Sequence, residues 1–243
     1  MSHSSINRRS PLLAGVFVAA SSLATLMATI EPAPAQLPLT STEARALAKE
    51  AYVFAFPLPY IAVQMDRSTA VTKPQGTLAP LNQFAHFRKL PDASDRTVVG
   101  MNLDVLLSIA NLDLSQEPMV LSLPDVTDRF WAMQFLDAWN DVPHMLGTRA
   151  SGGKGGNFAI TGPDFKGTLP AGLAELRMPT NLTLLGGRIR IENPSETATI
   201  NAIQDQWKLT PLSQWGTDWK PPAEVPLKPA SMPSPTCRIR CLP

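Results

Sequence analysis

What most constrains this chain is a change of hydrophobic period near Val98. Before it, apolar residues fall at helical spacing; after it, they alternate in short runs cut apart by turn residues. Val105, Leu107 and Ile109 alternate with small or polar neighbours, and Met119, Leu121 and Leu123 do the same before Pro124-Asp125. Phe130 to Leu136 is apolar on both faces, as in a strand covered on each side. Phe158 to Thr161, Ala174 to Met178 and Leu182 to Ile191 are further strand candidates. Turns are supplied by Gln116-Glu117-Pro118, by Asp125 to Asp128 and by Ser151 to Asn157. A short strand buries its apolar face only against a second layer, so the pattern predicts a mostly antiparallel β-sandwich.

The flanks read differently. Thr40 and Glu43 have capping-box spacing, and Ala44, Leu47, Ala48, Ala51, Phe54, Ala55 and Leu58 continue at helical intervals. Pro57 and Pro59 should end or kink that helix, because proline lacks the donor and clashes with the preceding turn. A second short helical piece is predicted around Leu81 to Lys89. Near the other end, Asn193, Pro194 and Glu196 stand at cap, first-turn and N3 positions of a helix near 194–208. Ile200, Ile203 and Trp207 mark its buried face. From Pro221 onward prolines crowd the chain, which predicts an extended or disordered tail over 223–243. No internal repeat is present.

The first 35 residues have the three-part order of a secretory signal peptide. Arg8 and Arg9 give a positive start, Leu12 to Ile30 is apolar and uncharged, and Ala33-Pro34-Ala35 offers a small-x-small cleavage site. Ser21, Ser22, Thr25 and Thr29 dilute the run, which argues against an uncleaved anchor. The arginine pair also admits a twin-arginine route, but the residues after it, Pro11 and Leu12, fit the general secretory route better. The expected address is periplasmic or secreted, with no stable membrane insertion after cleavage. The expected organisation is a signal peptide (1–35), an N-terminal helical region (36–96), a β-sandwich with a C-terminal helix (97–222) and a proline-rich tail (223–243).

Of 243 residues, 21 are Lys or Arg and 20 are Asp or Glu; losing Arg8, Arg9 and Glu31 leaves 19 of each. A neutral surface gives no drive towards nucleic acid, so nucleic acid is excluded as a partner. The cysteines, Cys237 and Cys241, could close a small loop or supply half of a zinc site. The bland reading is incidental thiols in a loose tail.

The best local constellation is Asp137-x-x-x-Asp141-x-x-His144, beside Trp139 and Asn140 at a strand end. Carboxylates and an imidazole together can hold a divalent metal or share proton transfer, because histidine titrates near neutrality. The alternative is an acidic turn capping its own backbone, with His144 at the surface. Gly152-Gly153-Lys154-Gly155-Gly156 lacks the Ser/Thr and following helix of a phosphate loop, and reads as a flexible hairpin connection. There is no Gly-x-Ser-x-Gly elbow, and only His86 and His144 remain as bases after processing. Trp131, Trp139, Trp207, Trp215 and Trp219 could line a carbohydrate platform, although core packing explains Trp131 and Trp207 more simply.

Several segments in one order resemble the bacterial family known as domain of unknown function 1254. They include Glu50-Ala51-Tyr52 with Phe56-Pro57-Leu58, Asn82-Gln83-Phe84-Ala85-His86, Val120 to Asp125, and Leu136 to Val142. Ile160-Thr161-Gly162-Pro163, Gly167 to Gly172, Pro179-Thr180-Asn181 and Leu209-Thr210-Pro211-Leu212 complete the match, from about Glu50 to Pro222. The resemblance implies helices followed by an immunoglobulin-like sandwich, an α+β fold, usually exported. It also implies a downstream domain, known as unknown function 1214, which this chain does not carry. Leu227 to Pro243 does not resemble the family linker, which suggests a truncated or frameshifted product. Relatives usually look like Asn-x-Asp-Thr-x-Tyr where this chain has Asn102, Asp104, Val105 and Leu107, so a hydroxyl and a phenol are lost. Asp128-Arg129-Phe130-Trp131 likewise stands where relatives have Gly-Arg-Tyr-Tyr. Asn102, Asp104 and His86 form a second candidate binding set, with Trp139 beside the first; turn, cap and core duty are their structural alternatives.

The expected function is a non-catalytic ligand-binding or envelope-associated module. Its rival is a metal-assisted hydrolase or lyase in the periplasm, using Asp137, Asp141 and His144 or Asn102 and Asp104. No cofactor is predicted; a divalent metal is the one group these residues could hold.

Overall fold

The computed structural model describes residues 39–96 and 100–227. The leader, Cys237, Cys241 and the tail from 228 on lie outside the described residues. The chain divides into two units, Met1–Lys49 and Glu50–Pro243. In the first, the described residues open helix α1 (Ser41–Ala55) with the expected capping box: Glu43 Oε2 accepts from Thr40 N at 2.9 Å, and Thr40 Oγ1 accepts from Glu43 N at 3.3 Å.

In the second unit α1 stops at Ala55, and α2 (Pro57–Ser68) begins on Pro57, whose missing N–H would have had no partner there. No residue of α1 is buried. Tyr52, Val53 and Phe54 are each about two-thirds exposed. Among the described residues no single helix is long and apolar enough to cross a membrane; α1 and α2 together reach that length and composition, bent by 42° at their break.

Strands follow in the order β1 (Phe84–His86), β2 (Val105–Asp113), β3 (Met119–Leu123), β4 (Trp131–Leu136), β5 (His144–Gly147), β6 (Gly156–Thr161), β7 (Ala174–Arg177), β8 (Leu182–Arg190) and β9 (Lys208–Pro211). Helix α3 (Thr197–Gln204), led in by a 3-10 turn (Pro194–Glu196), lies between β8 and β9. The strands form two sheets, ordered β1-β2-β8-β4-β5 and β7-β6-β3-β9. The fold is therefore α+β.

The sheets share one core. Leu106, Met133, Phe135, Leu185 and Ile189 come from the first, and Met119, Leu121, Ile160 and Leu209 from the second. Each large side chain buried there is worth about 1.5–3 kcal/mol over leaving it in water. On β4 only Trp131, Met133 and Phe135 are buried; Ala132, Gln134 and Leu136 are half-covered, so the strand is fully closed on one face rather than both. Asn193 caps the 3-10 turn Pro194–Glu196 rather than α3 itself, accepting from Ser195 N at 3.1 Å; α3 starts three residues later than the sequence implies and has no side-chain cap. Ile200 and Trp207 are buried below it.

The structure corrects several expectations. The segment around Leu81 to Lys89 is not a helix: Phe84–His86 pairs with β2, which buries Phe84 and Ala85. The sheets are mostly antiparallel, as expected; β6 and β7 alone among the described pairs run parallel, in the register Phe158↔Ala174 to Thr161↔Arg177. The Gly152–Gly156 segment is not a hairpin connection, because β5 pairs with β4 in one sheet and β6 with β3 in the other. Gly152 and Gly153 there take positive φ (63° and 77°), which lets the loop turn between layers. The core side of β2 is Leu106, Ser108, Ala110 and Leu112; Val105, Leu107 and Ile109 occupy its other, half-covered face. The small Ser108 stands opposite Gly187 of β8, and the missing side chain at Gly187 makes room for Trp207.

Candidate functional site

The acidic turn forms, and it consumes its own best ligand. Asp137 is 5% exposed, and its Oδ1 accepts from both Trp139 N and Asp141 N at 2.9 Å. Asn140, at φ 68°, completes the turn in the left-handed region that asparagine tolerates. Asp141 points to solvent, whereas His144 is half-buried and its Nε2 donates to Arg177 O at 2.8 Å. That carbonyl belongs to β7, so His144 fastens β5, an edge of one sheet, to an edge of the other. Trp139 rests against Phe54, ring centroids 5.2 Å apart. Among the described residues no cluster of three His, Cys, Asp or Glu side chains is gathered to hold a metal.

Asn102 and Asp104 are exposed at the start of β2. Asn102 borders a shallow cavity of about 230 Å³ with Val105, Leu107 and Ile109. Asp104 takes part through its backbone, accepting from Ile191 N at 2.9 Å. His86 is not with them: it faces Ser108, four positions further along β2, a separation of about 13 Å along a strand.

His86 instead borders a groove of about 930 Å³, which opens between β1 and β9, the edges on the side opposite the His144 link. Asn82, Gln83, Phe84 and His86 form one wall, and Asp205, Trp207, Lys208 and Thr210 the other. The segment with Thr217, Asp218, Trp219 and Lys220 lies along it. That segment is tied down beyond the groove by Val225 N donating to Thr72 O at 2.7 Å and by a Lys73–Glu224 pair at 3.0 Å.

Behind His86 is a buried polar chain. His86 Nδ1 and Ser108 Oγ are 2.8 Å apart. Gln204 Nε2 donates to Ser108 Oγ and to Leu107 O, both at 3.1 Å. Arg88 donates to Gln204 Oε1 and pairs with Asp205. Burial, with the Arg88 charge adding to it and Asp205 opposing it, pushes the His86 imidazolium down from 6.5 to about 4. The ring is therefore neutral at physiological pH and a weak base. A His–Ser pair suggests nucleophilic catalysis, yet Ser108 is wholly buried and its oxygen already accepts from Gln204, so no substrate carbonyl can reach it.

Ser108, Gln204 and Arg88 were not marked by sequence spacing. The only available signal was a serine and a glycine at facing positions of two apolar runs, readable only once the register of β2 on β8 is known.

The architecture and this groove define a two-sheet α+β protein with a polar, aromatic-walled cleft between open sheet edges. The family model described as "Protein of unknown function (DUF1254)" matches residues 81–211, and the chain belongs to that family. Among solved structures, it is similar to the VPA0106 protein of Vibrio parahaemolyticus, with 25% identity and a TM-score of 0.61, over 79% of this chain and 43% of that one. An uncharacterised protein from Burkholderia cenocepacia matches at 14% identity with a TM-score of 0.35, over 78% of this chain and 48% of that one. The chain thus spans less than half the length of either. No curated protein matches it.

Proposed function

We propose that this is an exported, non-catalytic binding module whose ligand lies in the groove between β1 and β9. The groove itself carries this reading: it has the volume of a small-molecule site, with aromatic faces set among many polar groups. Its histidine is neutral and backed by a serine that cannot be attacked from the cleft, which suits holding a ligand better than transforming one. Export rests on Arg8, Arg9, the apolar run to Ile30 and Ala33-Pro34-Ala35. The two sheets form an immunoglobulin-like sandwich in this reading, supported by repeated crossing of the chain between layers, at β2 to β3, β3 to β4, β5 to β6 and β7 to β8.

Ligand-detected NMR with a metabolite library, followed by amide-shift mapping, tests the reading. Shifts should cluster on Gln83, His86, Thr210 and Trp219. Stoichiometric bound metal that is lost in Asp141→Ala would overturn it in favour of hydrolytic chemistry at the acidic turn.

A further inference from the structure

We propose that the groove takes an uncharged oligosaccharide, stacked on Trp219 and read by the Nε2–H of His86. This rests on the groove being the ligand site and names the class of ligand.

The hydrogen-bond directions assign the donor. Arg88 donates to Gln204 Oε1, so the Gln204 amide nitrogen faces Ser108 and donates to its oxygen. Ser108 Oγ then keeps its own hydrogen, and the acceptor within reach is His86 Nδ1, 2.8 Å away. A neutral imidazole that accepts at Nδ1 carries its proton on Nε2. The protein therefore spends two buried side chains, Ser108 and Gln204, with Arg88 outside them, on fixing one tautomer, and the nitrogen left over is an N–H donor on a ring that lines the cleft.

The surroundings of that donor choose the class. The cleft's charges cancel, with Asp205 and Asp218 against Lys208 and Lys220, and Asp205 is already paired with Arg88. An anion would meet two carboxylates and a cation two ammonium groups, so neither sign is favoured. Gln83 and Thr210 bring an amide and a hydroxyl, groups that match the mixed donor and acceptor character of sugar hydroxyls. Trp207 is buried, which leaves Trp219, half-exposed, as the aromatic face open to a ligand. Apolar C–H faces against an indole, with hydroxyls turned to polar walls, describe a saccharide. A volume of about 930 Å³ suits several linked rings rather than one.

Two measurements on the full-length chain test the proposal. The first is a long-range ¹H–¹⁵N correlation of the histidine rings at neutral pH. It should show His86 protonated at Nε2, and Ser108→Ala should mix the tautomers; a proton on Nδ1 in the parent protein overturns the proposal. The second is isothermal titration with maltohexaose, cellohexaose and chitohexaose, beside a neutral hexapeptide and a hexasaccharide of uronic acids. At least one neutral hexasaccharide should bind. Trp219→Ala should weaken it about tenfold, His86→Ala roughly three- to tenfold, and Lys220→Ala less than twofold. Failure of all three neutral sugars, preference for the peptide or the uronate, or binding indifferent to Trp219→Ala overturns it. If the metabolite screen fills the groove with another compound while the sugars fail, the groove stands and the saccharide falls; if nothing shifts groove amides, both fall.

Discussion

Acidification should weaken this protein through His86 before it does so through its carboxylates. The ring is neutral in the folded chain because its site is dry, next to Arg88, and its Nδ1 already accepts from Ser108. Charging it would require Nδ1 to donate towards a hydroxyl whose hydrogen points back at it. Between pH 6.5 and about 4 the unfolded chain takes up a proton that the folded chain refuses. The unfolded state then binds more protons, so stability rises with pH across that window and is complete above 6.5. The full shift, at 1.36 kcal/mol per unit, sets a ceiling of about 3 kcal/mol; partial exposure of the ring brings the expected loss to about 2 kcal/mol. Urea unfolding from pH 7.5 to 4 should show the parent losing about 2 kcal/mol more than His86→Gln. Carboxylates held low by hydrogen bonds, such as Asp92 through Ser94 and Asp125 through Gly155, lose their contribution only as pH falls through the carboxylate range. They are common to both proteins and cancel in the difference. Parallel stability curves, or an NMR titration of His86 near 6.5, would refute the reasoning.

Further outcomes follow from packing and turns. A Cβ on Gly187 would run into the Trp207 indole and stand 3.0 Å from Met133 Cε, so Gly187→Ala should cost about 1–3 kcal/mol and red-shift tryptophan emission; an unchanged melting temperature would refute the contact. Asp137→Ala removes the acceptor for Trp139 N and Asp141 N and should cost about 1–3 kcal/mol, with Asp137→Asn recovering most of it; equal losses would point to a role for charge rather than turn geometry. Asn193→Ala removes the cap of the 3-10 turn that leads into α3 and should lower stability by about 1 kcal/mol in thermal melts, with no change in metal or ligand binding.

What could be read from the sequence depended on whether the information was local. The capping box at Thr40 and Glu43, the break at Pro57 and the cap at Asn193 each need only a few neighbouring residues, and each formed. The runs at Met119 to Leu123 and Leu182 to Ile191 carried enough alternation to mark β3 and β8. β1 was missed because Phe84–His86 is too short to show a period, and its pairing partner lies more than 20 residues away. The inner face of β2 was obscured because VLLSIANLD is apolar on both faces; only pairing with β8 decides that Ser108 and Ala110 turn inward. The acidic constellation was legible as a turn, but its spacing could not say that Asp137 would be spent on two backbone amides. The groove was invisible for a stronger reason: its walls come from β1, β9 and the segment around Trp219, joined only by the fold.

The two long sides of the sheet pair are treated unequally, and the inequality is what leaves a cleft. On one side His144 reaches from β5 to the Arg177 carbonyl on β7, a single bond tying edge to edge. On the other side Trp207 is driven inward, tilted against Trp131 with ring centroids 6.1 Å apart and seated over Gly187. Trp207 leaves no room for a side chain at Gly187, whose strand partner Ser108 is wholly buried. The serine hydroxyl so buried must be satisfied, which Gln204 and His86 do. Gly187, Ser108, Gln204 and His86 thus form one connected row from beneath the Trp207 indole to the rim of the groove. A side chain at position 187 would displace Trp207 from that seat.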